Sequence, residues 1–277
     1  MRRIAHVSDL HFGREDAGIA KDLRRDLDEV RADLVVVSGD LTQRARRRQF
    51  EAARAYLDSL PATWMAVPGN HDIPLYDFAR RALDPFGRYR RIVCGELAPR
   101  HEDDEVTVLG LNTVLPRAWK NGIARTAALD RLHKWSANAG SRARIVFAHH
   151  PFARPAASRA ELVRGWQQAV LAMEGAGVDL LLTGHQHRSG HFESRAYVAD
   201  GPHRLVIVRA GTCISHRRRG EPNSYNLIHV EPDRFIVEAR HWTDGSFRAA
   251  ATQAFPRRAW TEAPAQAGPD GNPQGAA

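Results

Sequence analysis

Five short runs rich in Val, Ile and Leu punctuate the first two thirds of the chain: "RIAHVSD", "DLVVVSGD", "WMAVPGN", "RIVFAHH" and "VDLLLTGH". Each is apolar at successive positions, as expected of strands buried on both faces. Between the first three, "AKDLRRDLDEVRAD" spaces Leu23, Leu27 and Val30 by four and three, and "RRRQFEAARAYLDSL" does the same with Phe50, Ala53, Leu57 and Leu60. These spacings predict amphipathic helices covering a sheet. Strands alternating with helices indicate an α/β domain with a largely parallel sheet. Later, "HRLVIVRAGTC", "SYNLIHVE" and "DRFIVEARHW" come in succession without helix-length inserts, which predicts an antiparallel part. The expected fold is a pair of packed mixed β-sheets flanked by helices. Residues 1–255 are read as a single domain, and the Pro-, Gly- and Ala-rich stretch 256–277 as a disordered tail.

No run approaches the ~18 apolar residues of a transmembrane helix, and the N-terminal apolar stretch is interrupted by His6, Ser8 and Asp9, so a cytoplasmic location is expected. Cys94 and Cys213 are the only cysteines, too few for a disulfide framework or a thiolate site. The net charge of +8 comes mostly from arginine and favours anionic partners.

The residues immediately after each apolar run carry the chemistry, because ligands in open α/β sheets gather beyond the carboxyl ends of the strands. The first run leads to Asp9 and His11 and the second to Asp40. The third leads to Asn70, His71 and Asp72, the fourth to His149 and His150, and the fifth to His185 and His187. Gly69 is expected to let the backbone turn sharply enough to present Asn70. A lone histidine in such a place is usually a satisfied turn residue, whereas five such endings converging on one rim form a site. Carboxylate and amide oxygens mixed with imidazole nitrogens, without thiolates, suit Mn, Fe, Zn or Ni. So many ligands exceed one tetrahedral shell and imply two ions, about 3.5–4 Å apart as in two-metal hydrolases.

The chain resembles the calcineurin-like metallophosphoesterases through "DLH" at Asp9 to His11, "GD" at Gly39 and Asp40, "GNHD" at Gly69 to Asp72, "HH" at His149 and "GHQH" at Gly184 to His187. The resemblance implies a four-layer αββα sandwich with a dinuclear centre of divalent or mixed-valence ions, Mn, Fe or Zn. It implies that Asp9, His11 and His187 hold one ion, that Asn70, His149 and His185 hold the other, and that Asp40 bridges them. His71 would act on the substrate phosphate as general acid or electrostatic stabiliser, with Asp72 its orienter, and a metal-bridging hydroxide would be the nucleophile. His150 is assigned a supporting or structural role. Two divalent ions set against two carboxylates leave a site of about +2, which favours an anionic phosphate.

The contexts "SDLHFG", "SGDLT" and "VPGNHDIP" are most similar to the bacterial class III cyclic-nucleotide phosphodiesterase branch, except that Gln43 stands where many relatives are acidic. The expected function is hydrolysis of small phosphodiesters or nucleotides, cyclic nucleotides among them. A pyrophosphatase of the UDP-diacylglucosamine type, a nuclease and a non-enzymatic scaffold are the alternatives. Asn112, Arg117 and Lys120 lie in a loop that could approach the substrate. The arginine clusters Arg44 with Arg46 to Arg48, and Arg217 to Arg219, are read as solvated faces, the second being the better candidate for gripping a nucleotide or touching a membrane or nucleic acid.

Overall fold

The computed structural model describes residues 1–154, 161–197 and 204–257. In chain order the elements are β1 (Arg2–Val7), α1 (Ala17–Glu29), β2 (Leu34–Val37), α2 (Arg47–Asp58), β3 (Thr63–Ala66), α3 (Phe78–Leu83), α4 (Gly87–Ile92), β4 (Arg100–Glu102) and β5 (Val106–Leu111). They continue with α5 (Thr126–Ser136), β6 (Ala143–Ala148), α6 (Trp166–Gly175), β7 (Leu180–Thr183), β8 (Gly190–Glu193), β9 (Val206–Arg209), β10 (Ser224–Val230), β11 (Arg234–Thr243) and β12 (Ser246–Pro256).

The strands form two six-stranded mixed sheets, ordered β12-β11-β10-β1-β2-β3 and β4-β5-β6-β7-β9-β8. Alternating side chains of the parallel strands feed two different cores, which is why their sequences are apolar throughout. Ile4, Leu34 and Val36 meet Val108, Ile145, Phe147, Leu180 and Leu182 between the sheets. Their neighbours Ala5, Val35 and Val37 face Leu23 and Leu27 of α1 and Phe50, Ala53 and Leu57 of α2. On the far side Leu109, Val146, Ala148 and Leu181 pack against Leu132 of α5 and Val170 and Met173 of α6. The result is helix, sheet, sheet, helix, as expected.

Three details differ from the sequence reading. The "LVIV" stretch does not join an antiparallel group with β10 and β11. It is β9, parallel to β7 in the second sheet with Leu180 opposite Val206. Its own composition explains this, because Val206 and Val208 enter the inter-sheet core while Ile207 faces the helices. The antiparallel part is instead β10, β11 and β12. β12 has no apolar signature and is mostly exposed, held by its register with β11 through Pro256 opposite Arg234. The sheet therefore runs one residue past the expected domain boundary, and the rest of the tail, from residue 258, lies outside the described residues. No helix among them is long and apolar enough to cross a membrane.

Candidate metal centre

The loops beyond β1, β2, β3, β6 and β7 meet at one rim shared by both sheets, and they bring all seven expected ligands together. Asp9, His11, Asp40 and His187 have ligand atoms within 4.8 Å of one another, and His149, His150 and His185 form a second such group. Asp40 faces both groups. Its Oδ2 lies 3.7 Å from His11 Nε2, and its Oδ1 lies 3.4 Å from His149 Nε2. Asp9 Oδ1 is 3.2 Å from His187 Nε2, and Asn70 Oδ1 is 3.2 Å from His149 Nε2.

The local backbone is built for this convergence at a cost. Asp9, His11, Asp40, His185 and His187 all have φ between 49° and 70°, a left-handed conformation that residues with a Cβ rarely adopt. Gly69, expected to permit a sharp turn, has an ordinary φ of −103°. It is needed for space, since a Cβ there would lie 2.1 Å from Asp40 Oδ1.

The donor set fits a pair of cations. Asp9, His11 and His149 are fully buried, and Asp40 is nearly so, yet the described ion-pair neighbours of both carboxylates are histidines. Asp9 Oδ1 and His11 Nδ1 are buried without a hydrogen-bond partner. His149 donates Nδ1–H to the Ser38 carbonyl at 2.8 Å, and His187 Nδ1 faces the Arg217 carbonyl, so each ring presents an Nε2 lone pair to the centre. His11 Nε2 and His187 Nε2 face each other at 3.3 Å, as do His185 Nδ1 and His149 Nε2 at 3.2 Å. Opposed lone pairs beside buried carboxylates are the arrangement a divalent ion satisfies.

The electrostatics are correspondingly distorted. Burial would raise both carboxyls, but the imidazoles of His187 and His11 hold Asp9 well below the usual range, and those of His149 and His71 do the same for Asp40. Burial opposes charge on His149, yet Asp40 and then Asp9 lift it to about 9, so the carboxylates draw to its Nε2 the positive charge that a bound ion would supply in a proton's place. His185 is pushed down to about 3, by burial first and His149 second.

His71 stands at the edge of the cluster. Its Nδ1 donates to the Gln43 carbonyl at 2.9 Å, and its Nε2 accepts from Arg217 Nη1 at 2.9 Å. Burial, above all, lowers its proton affinity against the pull of Asp40. Asp72, the expected orienter of this ring, points its carboxylate elsewhere. It accepts from the backbone N–H groups of Gly69, Leu41 and Thr42 at 2.9, 3.1 and 2.8 Å, and from Thr42 Oγ1 at 3.0 Å. Asp72 thus ties the loop after β2 to the loop after β3, and the Gln43 backbone orients His71 instead. Burial and then the charge of Asp40 push the Asp72 carboxyl upward, against those donors.

His150 shares a hydrogen bond with Thr113 Oγ1 at 2.8 Å, a partner with no motif to announce it. Asn112 Oδ1 takes the Val114 N–H of its own loop, while Arg117 and Lys120 are exposed. The second arginine cluster does reach the site, through Arg217 alone among its members at His71. The first cluster reaches it through Arg44, whose Nη1 lies 3.0 Å from the Gln43 carbonyl and 3.3 Å from His71 Nδ1.

A family model described as calcineurin-like phosphoesterase matches residues 2–189. The glycerophosphodiester phosphodiesterase GpdQ of Enterobacter lignolyticus is 29% identical over 166 residues, covering 53% of this chain and 56% of that relative. The match thus spans little more than half the length of the curated relative. Among solved structures, a purple acid phosphatase from yellow lupin (Lupinus luteus) superposes with a TM-score of 0.68 at 12% identity, over 92% of this chain and 54% of that one. A dimetal phosphatase from Danio rerio superposes with a TM-score of 0.65 at 14% identity, over 93% of this chain and 99% of that one. At such identities the likeness concerns the fold.

Proposed function

The chain belongs to the calcineurin-like phosphoesterase family, and from that premise we propose that it is a two-metal phosphodiesterase acting on small diesters, cyclic nucleotides among them. The observation that carries this reading is the convergence of seven ligand-type groups on two foci that share Asp40. Asp9, His11 and His187 would hold one ion, Asn70, His149 and His185 the other, with Asp40 between. Bound there, two divalent ions would polarise phosphoryl oxygens and acidify a water molecule.

The chain's own groups supply the rest. The amide of Asn70 offers a neutral oxygen, so the site keeps the positive charge that an anionic ester requires. Arg217, half-buried with its guanidinium at His71, is placed to hold a phosphoryl oxygen as charge develops on it. The Gln43 carbonyl holds His71 Nδ1–H, so Nε2, which here accepts from Arg217, is the atom that would hold or pass a proton at the leaving oxygen once the guanidinium turns to the phosphoryl oxygen. Asp72 fixes the two loops that set these distances. The diester preference draws on the relative whose name is glycerophosphodiester phosphodiesterase. A scaffold without catalysis would have no use for two buried carboxylates facing opposed imidazole lone pairs. Native metal identity is proposed as Mn, Fe or Zn, from the mixed oxygen and imidazole donors.

The test is hydrolysis of bis(p-nitrophenyl) phosphate by protein stripped with a chelator and then reloaded with Mn. Turnover should vanish on stripping and return on reloading, and an absence of metal-dependent turnover would sink the reading.

A further inference from the structure

Beside the metal centre lies a cavity of about 430 Å³ lined by Arg14, Gln43, Arg44, Arg46 and Arg48, with Glu15 at its wall. Its volume falls in the range of small-ligand clefts. It adjoins the reaction centre through Gln43 and Arg44. The Gln43 carbonyl holds His71, and Arg44 reaches both that carbonyl and the His71 ring.

The arginines of this stretch divide into two kinds. Arg47 turns away along α2 and pairs with Glu51 at 2.8 Å, as Arg54 pairs with Asp58 at 2.7 Å. Arg14, Arg44, Arg46 and Arg48, which share the cavity, have no carboxylate within ion-pair distance among the described residues, and Glu15 is engaged by the Gly13 N–H. Four guanidinium groups against one carboxylate leave the cavity strongly cationic. Guanidinium groups bind phosphate through paired, charge-assisted hydrogen bonds, and several together match a dianion better than a single carboxylate.

We propose that this cavity is a second anion subsite, which takes a phosphoryl group of the substrate remote from the bond that is cleaved. The preferred substrates are then phosphodiesters that carry an additional phosphate. This rests on the phosphodiesterase reading and narrows its substrate class. It also gives Arg44, Arg46 and Arg48 a role other than that of a solvated face.

Two chromogenic esters separate the subsite from the reaction centre: thymidine 5′-(p-nitrophenyl phosphate), and the same compound bearing a 3′-phosphate. Both release p-nitrophenol from the same phosphorus. With the full chain loaded with Mn, kcat/KM should be higher for the 3′-phosphorylated ester by about tenfold or more, the scale of one charge-assisted contact. In the double variant Arg46→Gln/Arg48→Gln that ratio should fall towards one. Neither residue contacts His71, and both side chains are exposed, so the variant is expected to fold. A control, Arg100→Gln/Arg248→Gln, removes two exposed arginines on β4 and β12 and should keep the native ratio.

A native ratio near one, or a double variant with the native ratio, overturns the subsite. A control that loses the ratio equally also overturns it, by showing an effect of net charge. If neither ester is hydrolysed, the phosphodiesterase reading itself fails, and the subsite falls with it.

Discussion

His71 shows what a residue's neighbours decide and its motif does not. "GNHD" announces an imidazole beside the phosphate, but its partners, the Gln43 carbonyl and the Arg217 guanidinium, come from 28 and 146 positions away. Histidines and carboxylates at strand ends are legible because their residue types alone suggest ligation. Gln43 acts through its backbone and Thr113 through a hydroxyl, and neither leaves a local signature, whereas Arg217 belongs to an arginine cluster whose sequence already marks it as a candidate grip on an anion. For Asp72, adjacency in sequence suggests contact with His71, whereas the tight turn at Asn70–Asp72 sends its carboxylate to the backbone of the facing loop. His71→Ala is expected to retain both metals and to lower kcat by roughly 10²–10⁴ on esters with poor leaving groups, less on p-nitrophenyl esters. Metal analysis beside kcat for an alkyl and an aryl ester checks this, and loss of metal would make His71 a ligand or a scaffold for one.

At the scale of elements, strands buried on both faces and helices with one apolar stripe are legible, because burial imposes a pattern on sequence. Of the four edge strands, β3 is legible as an apolar run, and β4, β8 and β12 are not. β4 and β8 are short, and β12 exposes most of its side chains, so pairing with neighbours holds them and apolar content does not. A polar contact also fastens the antiparallel extension to the helical layer. Asp26 of α1 is buried and accepts from Arg240 of β11 at 2.8 and 2.9 Å and from the Tyr225 hydroxyl of β10. Removing Asp26 leaves the Tyr225 phenol without its acceptor, while Arg240 keeps Glu238 and the Phe247 carbonyl, so Asp26→Ala should destabilise the fold by about 2–3 kcal/mol. Urea unfolding of native and variant protein measures this, and a change below about 1 kcal/mol would show the contact to be dispensable.

At the scale of the molecule, stacking two sheets is what makes one site from separate motifs. Asp9, His11, Asp40 and Asn70 come after strands of the first sheet, while His149, His185 and His187 come after strands of the second. The sequence displays both sets, and their order along the chain suggests a shared rim. It does not display the cationic cavity, because Arg14 joins Arg44, Arg46 and Arg48 only when the loop after β1 meets the start of α2. Hydrolysis is proposed to need two ions on this rim, held about a shared Asp40. Titrating metal-free protein with Mn, while monitoring bound Mn and bis(p-nitrophenyl) phosphate turnover together, tests it most directly. Binding should saturate at about two ions per chain, with full turnover reached only as the second is taken up. Saturation at one ion, or turnover complete before the second binds, would contradict it.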